Sequence, residues 1–467
     1  MHKAEKVCYG KIENPYFPIH LDLPEIPEKV YRKRVARLTE KIKQRNLTHV
    51  VIYGDREHNA NFSYFSGFDL SFEEGLLIID TQNNVSAILG NECYNLSKYK
   101  NIIQKTFLSQ SFSLPGQPRA QSDKLKNILA KTGIRTGSNI GIIDWKYFSK
   151  EETENPENTF FMPHWIVENI ADIAGGRDRL HNVTDILMHS EYGMRTDNEI
   201  EQLARYECAS SVVSSGISNL LENIKSGMSE IELGFYLNNY GIPLSCHKFI
   251  ATGEKTKYTL ARPSNLRIKT GDPFTVGFGV FGALSCRSGY AATNPEEIEH
   301  SSGQQYIEEI VKPFFAAVSN WYETIGIGIT GGKIYDIIEE CLPQKQFGWF
   351  LNPGHLIAED EWLNSPIFQN SDIKIKNGMA LQMDIIPAPE NLFHSTNVED
   401  GILIMDESLC KEMQKRFPDI WNSLIRKKQF MRENLGISLK PEVFPVSNIP
   451  GILRPFIFEK HKAMMLK

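Results

Sequence analysis

Gly271-Asp272-Pro273-Phe274-Thr275-Val276-Gly277-Phe278-Gly279, continuing to Ser285-Cys286-Arg287-Ser288, opens the stretch whose reading decides the fold. Two more polar islands follow it. One is Asn352-Pro353-Gly354-His355, and the other runs from Gly378-Met379 through Asp384 to Glu399-Asp400-Gly401. Each is set in apolar, β-branched sequence, the pattern of strands carrying a few chemical side chains. Separate strands are expected to bring His355, Asp384 and Glu399 together. A histidine with two carboxylates can bind a metal or move protons.

Working outward, the chain of 467 residues is longer than one hydrophobic core usually serves, so two domains are expected. Hydrophobic and charged fractions of 41% and 23% are those of an ordinary globular protein. A net charge of -6 leaves no electrostatic footprint for nucleic acid. The 7 cysteines are scattered without a CxxC pair, which reads as reduced thiols and not as a disulfide scaffold or zinc ribbon. The charged start Met1-His2-Lys3-Ala4-Glu5-Lys6 lacks a following apolar segment. No signal peptide and no membrane span are expected, and the expected location is cytoplasmic.

Taken in order, residues 1–28 read as a proline-broken arm. Val35, Leu38 and Ile42 among Lys and Arg predict an amphipathic helix from about Val30 to Arg45. The strand His49-Val50-Val51-Ile52-Tyr53 follows, ending in a loop with Arg56 and His58. Alternating strands and helices continue to Ile140-Gly141-Ile142-Ile143, so residues 1–190 are expected to form an α/β domain. Near Thr196 the pattern changes. Thr196-Asp197-Asn198-Glu199 has the form of a capping box before a long helix to about Ile224. Helices then mix with the strands of the three islands, so residues 191–425 are expected to be α+β. Residues 426–467, with mixed charge and four prolines at 441, 445, 450 and 455, are expected to wrap the surface.

Tyr64-Phe65-Ser66-Gly67-Phe68, Met194-Arg195-Thr196-Asp197-Asn198-Glu199-Ile200 and Ile224-Lys225-Ser226-Gly227-Met228-Ser229-Glu230-Ile231-Glu232-Leu233 join the islands in one order. In that order the chain resembles the pita-bread superfamily of creatinase, aminopeptidase P, prolidase and methionine aminopeptidase. The resemblance implies a creatinase-type N-terminal α/β domain and a pita-bread C-terminal domain. It also implies a homodimer in which a neighbour's N-terminal loop, here Arg56 and His58, rims the site.

The peptidases of that superfamily hold two metals with two Asp, a His and two further acids. Carried over singly, the two Asp positions hold Gly277 and Ser288. The His is His355, and the last two acids are Asp384, where Glu is usual, and Glu399, with Asn397 in place of an Arg. The two histidines that work on the peptide bond fall at Leu260 and Trp362. One His and two carboxylates do not balance two divalent ions, so no metal and no cofactor is expected, with a single-metal triad as the alternative. The expected activity is metal-independent hydrolysis of a C–N bond in a small polar substrate. His355 would be the acid/base, Asp384 and Glu399 would orient it, and Arg287 would anchor charge against them. Cys286, His247 and His394 are further candidates to meet substrate, Cys286 either as an activated thiolate or as a small buried hydrophobe. The alternatives are a non-catalytic binding or scaffold protein and a working Xaa-Pro peptidase. No nucleic-acid or membrane partner is expected.

Overall fold

A computed structural model of the chain describes every residue except 71, 100, 299–302 and 390–395. It divides into two compact units, residues 25–195 and residues 1–24 with 196–467. The first is the expected α/β domain and the second the expected α+β pita-bread domain.

In the first unit a six-stranded mixed sheet runs in the order Lys105–Leu108, Val85–Leu89, Gly75–Asp80, His49–Gly54, Ile140–Ile143, Leu180–Asn182. The central strand His49–Gly54 pairs antiparallel with Gly75–Asp80 and parallel with Ile140–Ile143. Val50, Val51 and Ile52 are wholly buried, as a continuous apolar run covered on both faces must be. The predicted amphipathic helix is Glu28–Gln44, which buries Val35, Leu38 and Ile42.

The second unit is built on an antiparallel sheet in the order His355–Leu356, Ala380–Met383, Asn397–Ile404, Ala283–Tyr290, Pro273–Val280, Cys246–Thr252. Val280 pairs with Ala283 across a tight turn in which Gly282 has φ +99°, a conformation open to glycine. The long helix Ile200–Asn223 packs on one face, with Gly216 close against the Phe278 ring. A side chain there would lie 3.3 Å from that ring.

Three expectations are corrected. The capping box at Thr196 does not start the long helix: Glu199 is its N-cap and makes no side-chain cap bond. Asn198 instead donates through its backbone and side-chain nitrogens to the Gly378 carbonyl at 3.2 and 2.9 Å, tying the helix start to the sheet. The N-terminal arm belongs to the second unit and not the first: Val7–Lys11 pairs antiparallel with Lys462–Leu466.

The C-terminal segment is interior rather than a surface wrap. Leu453, Phe456 and Met464 are fully buried, and Val443–Pro445 pairs with Asn397–Ile404. Its charges mislead because the central one is paired: buried Lys427 of helix Pro418–Asn434 bonds Glu207 of the long helix. Among the described residues no helix is long and apolar enough to cross a membrane.

Candidate functional site

Register decides which side chains meet. Gly277, Cys286 and Glu399 lie side by side on adjacent strands, as do Thr275, Ser288 and Asn397. Gly401, Gln382 and His355 form a further row. Directly paired residues share a face and sequence neighbours alternate. Cys286 and Glu399 therefore face one side of the sheet while Arg287 and Asp400 face the other, where Phe278 meets the long helix.

On the site face, His355 and Glu399 converge with a carboxylate the sequence reading passed over, Glu361. One donor atom from each of the three lies within 4.8 Å of the others. His355 is wholly buried, and its Nδ1–H donates to the Leu356 carbonyl at 3.1 Å. That leaves Nε2 facing Glu361 Oε1 at 3.3 Å, without a well-aligned hydrogen bond to any described residue. The Trp362 indole stacks on the imidazole, with ring centroids 4.0 Å apart and planes 18° apart. Glu399 Oε1 accepts from Gln382 Nε2 at 3.3 Å, and the same amide donates to the Leu284 carbonyl at 2.8 Å. Asp384 is buried, and its Oδ1 meets no hydrogen-bond donor among the described residues. Glu361 alone of the four keeps an appreciable part of its side chain, 24%, in contact with solvent.

Burial sets the electrostatics. It pushes the Asp384 carboxyl up to about 6, with the positive His355 opposing and Glu361 adding to the rise. Burial, Asp384 and Glu361 together push Glu399 well above the ordinary carboxylate range. For His355 burial works downward, but the charge and proximity of Glu361, aided by Asp384, outweigh it and the imidazole is raised. Burial thus favours the neutral form of Asp384 and Glu399, while Glu361 favours the charged form of His355.

The other candidates fall elsewhere. Arg287 does not reach Asp384 or the Glu399 carboxylate. Its Nη2 donates to Asp400 Oδ2 at 2.7 Å and to the Ile449 carbonyl at 2.6 Å, and its Nε donates to the Ile452 carbonyl at 3.0 Å. It fastens the C-terminal segment to the back of the sheet and is not placed to bind substrate. Cys286 faces the site but packs with Phe249 and Leu284, and burial first, then Glu399, drives its thiol far upward. It is a buried thiol, not a thiolate. His247 donates from Nε2 to the Leu260 carbonyl at 2.8 Å, on a turn where Leu260 is half exposed with φ +58°. His394 lies outside the described residues. In the N-terminal unit Arg56 is exposed, and His58 packs against Trp145 and Phe161 with its Nδ1 3.2 Å from Asp55.

Glu361 carried a signal of its own. It belongs to the acidic run Glu359-Asp360-Glu361 shortly after His355 and directly precedes Trp362, the position where a histidine was sought.

Residues 204–406 match the profile of metallopeptidase family M24. No curated protein sequence matches the chain significantly. Among solved structures, prolidase from Pyrococcus horikoshii OT3 superposes with TM-score 0.61 at 17% identity, covering 80% of this chain and 95% of its own. Xaa-Pro dipeptidase from Bacillus anthracis gives 0.61 at 16% identity, with coverage of 81% and 96%. X-Pro aminopeptidase from Thermotoga maritima MSB8 gives 0.60 at 16%, with coverage of 80% and 95%. The family profile covers less than half of the chain, and the solved structures share its fold: an α/β N-terminal domain followed by an α+β domain of pita-bread architecture.

Proposed function

We propose that the chain is a metal-independent hydrolase that cleaves a C–N bond in a small polar substrate through the His355, Glu361, Asp384 and Glu399 cluster. The reading is supported by the convergence of His355, Glu361 and Glu399 within 4.8 Å on the site face, a set that could also hold a single metal ion, together with the closure of both former aspartate positions. The paired metals implied by the fold fit this chain poorly. The Phe249 ring fills the space beside Gly277, where a Cβ would come within 2.3 Å of its Cζ. Ser288 is bonded to Thr275, Oγ to Oγ1 at 2.7 Å.

In the proposed reaction Glu361, the member that reaches solvent, takes the proton of the attacking water as the C–O bond forms. The protonated His355, 3.3 Å away, then returns a proton to the departing nitrogen as the C–N bond breaks. Glu361, aided by Asp384, favours the charged imidazole before the water attacks, and Glu399 lines the cluster beside them.

The test is release of ammonia or amine from a panel of guanidino and amide compounds in the presence of chelator. Turnover that survives chelation and is lost in Glu361→Gln supports the reading. No turnover on any compound, or turnover only after metal is added, overturns it.

A second reading, a non-catalytic binding protein, is favoured by the Trp362 indole seated on the wholly buried His355. Homodimerisation and a cytoplasmic location are part of the proposal. A monomer by light scattering at micromolar concentration would remove Arg56 and His58 from any site.

A further inference from the structure

The N-terminal unit holds a cavity of about 520 Å³ that the pita-bread chemistry does not use. It lies beside the edge strand Leu180–Asn182, and that volume is within the range of about 300–1,000 Å³ typical of small-molecule pockets. One wall is a ladder of rings. His189 and Tyr192 stack face to face, centroids 3.8 Å apart and planes 10° apart, and admit nothing between them. Tyr147 continues the ladder at 6.2 Å and 27° from His189. A planar ring held between two others needs roughly 7 Å, two van der Waals contacts of about 3.5 Å each. Tyr147 would have to move about 1 Å farther from His189 to make that slot. The His189 ring is fixed, because its Nδ1 accepts from the Glu191 backbone N–H at 3.1 Å.

The polar side of the cavity has a definite charge. Arg45 donates to both oxygens of Asp185, at 2.8 and 2.5 Å, and the Tyr192 hydroxyl donates to the same carboxylate at 2.9 Å. The guanidinium is thereby neutralised and is no clamp for a phosphate. Among the lining residues the exposed Glu157 is then the remaining charged group, and with Asp185 it supplies acceptors at the rim. Rings to stack on, with acceptors at the edge, suit a flat ring whose own edge donates.

We propose that this cavity binds an uncharged planar heteroaromatic ring with hydrogen-bond donors at its edge, of the aminopurine kind, and disfavours the phosphorylated form. The test uses the full chain with adenosine and AMP as probes, followed by saturation-transfer NMR and calorimetry. Adenosine is expected to bind more tightly than AMP. Tyr147→Ala should weaken adenosine roughly fivefold or more, as loss of one stacking partner does. Glu157→Gln, a change at an exposed position, should narrow the preference over AMP without unfolding the protein. No transfer to adenosine at millimolar concentration, AMP bound as well as adenosine, or binding unchanged in both variants overturns the proposal.

Discussion

Arg287 and Asp400 form a buried ion pair, Nη2 to Oδ2 at 2.7 Å, on the face of the sheet opposite the Glu399 carboxylate. Asp400 Oδ2 also accepts from the Gly451 N–H at 2.9 Å, so the pair holds both the strand and the C-terminal segment. Removing one partner of such a pair leaves a buried charge uncompensated and costs ~3–5 kcal/mol. Arg287→Ala should be destabilised by that amount in denaturant melts. A double-mutant cycle should find strong coupling of Arg287 to Asp400 and little to the Glu399 side chain. Coupling to Glu399→Gln as large as that to Asp400→Asn would place the arginine on the wrong face.

The Phe249 ring and Gly277 share one space, because a Cβ at 277 would stand 2.3 Å from the ring. Gly277→Asp should destabilise the fold, and Phe249→Ala alone should cost ~3–5 kcal/mol as a buried aromatic truncation. The double variant should be less unstable than the two losses added together, since the truncation makes room for the carboxylate. Additive losses in thermal melts would show that the two positions do not compete.

Glu361 raises His355 against the downward pull of burial. In Glu361→Gln that pull meets less resistance, so the imidazole should give up its proton at lower pH than in the parent chain. Imidazole NMR across a pH series reads this directly. An unchanged His355 titration would remove Glu361 from the cluster.

Most of the fold was legible from the order of weak motifs, because each marks a turn or helix start that the pita-bread arrangement requires. Ser229 and Glu232 show it locally, forming the reciprocal capping bonds their spacing predicts. The site was legible only in part. Sequence position alone brought Arg287 into the pocket, yet Cys286 and Arg287 are neighbours on one strand and cannot share a face. Glu361 was missed because it comes from an irregular segment between strands, where no periodicity reports direction. The buried C-terminal segment was hidden by its charges, since a lysine paired as Lys427 is with Glu207 looks like any surface lysine in sequence.

Asp144 gives the fold a pH signature. Burial pushes its carboxyl up to about 6 from an ordinary 3.8, although the Phe161 and Met162 N–H groups donate to it at 2.6 and 3.1 Å. The folded pKa is the higher one, so the fold takes up the proton first as pH falls. Stability relative to Asp144→Asn should therefore rise from about pH 6 down to about pH 4, by at most about 3 kcal/mol. Urea melts at a series of pH values check this, and a difference that shrinks toward acid would contradict it.

Metal content is the most direct measure of the central claim, that this pita-bread site does not run on a metal pair. Protein purified without chelator, then equilibrated with Mn²⁺, Co²⁺ or Zn²⁺ and desalted, should hold well under one equivalent per chain by elemental analysis. Retention of two equivalents, accompanied by Xaa-Pro cleavage, would contradict the account outright.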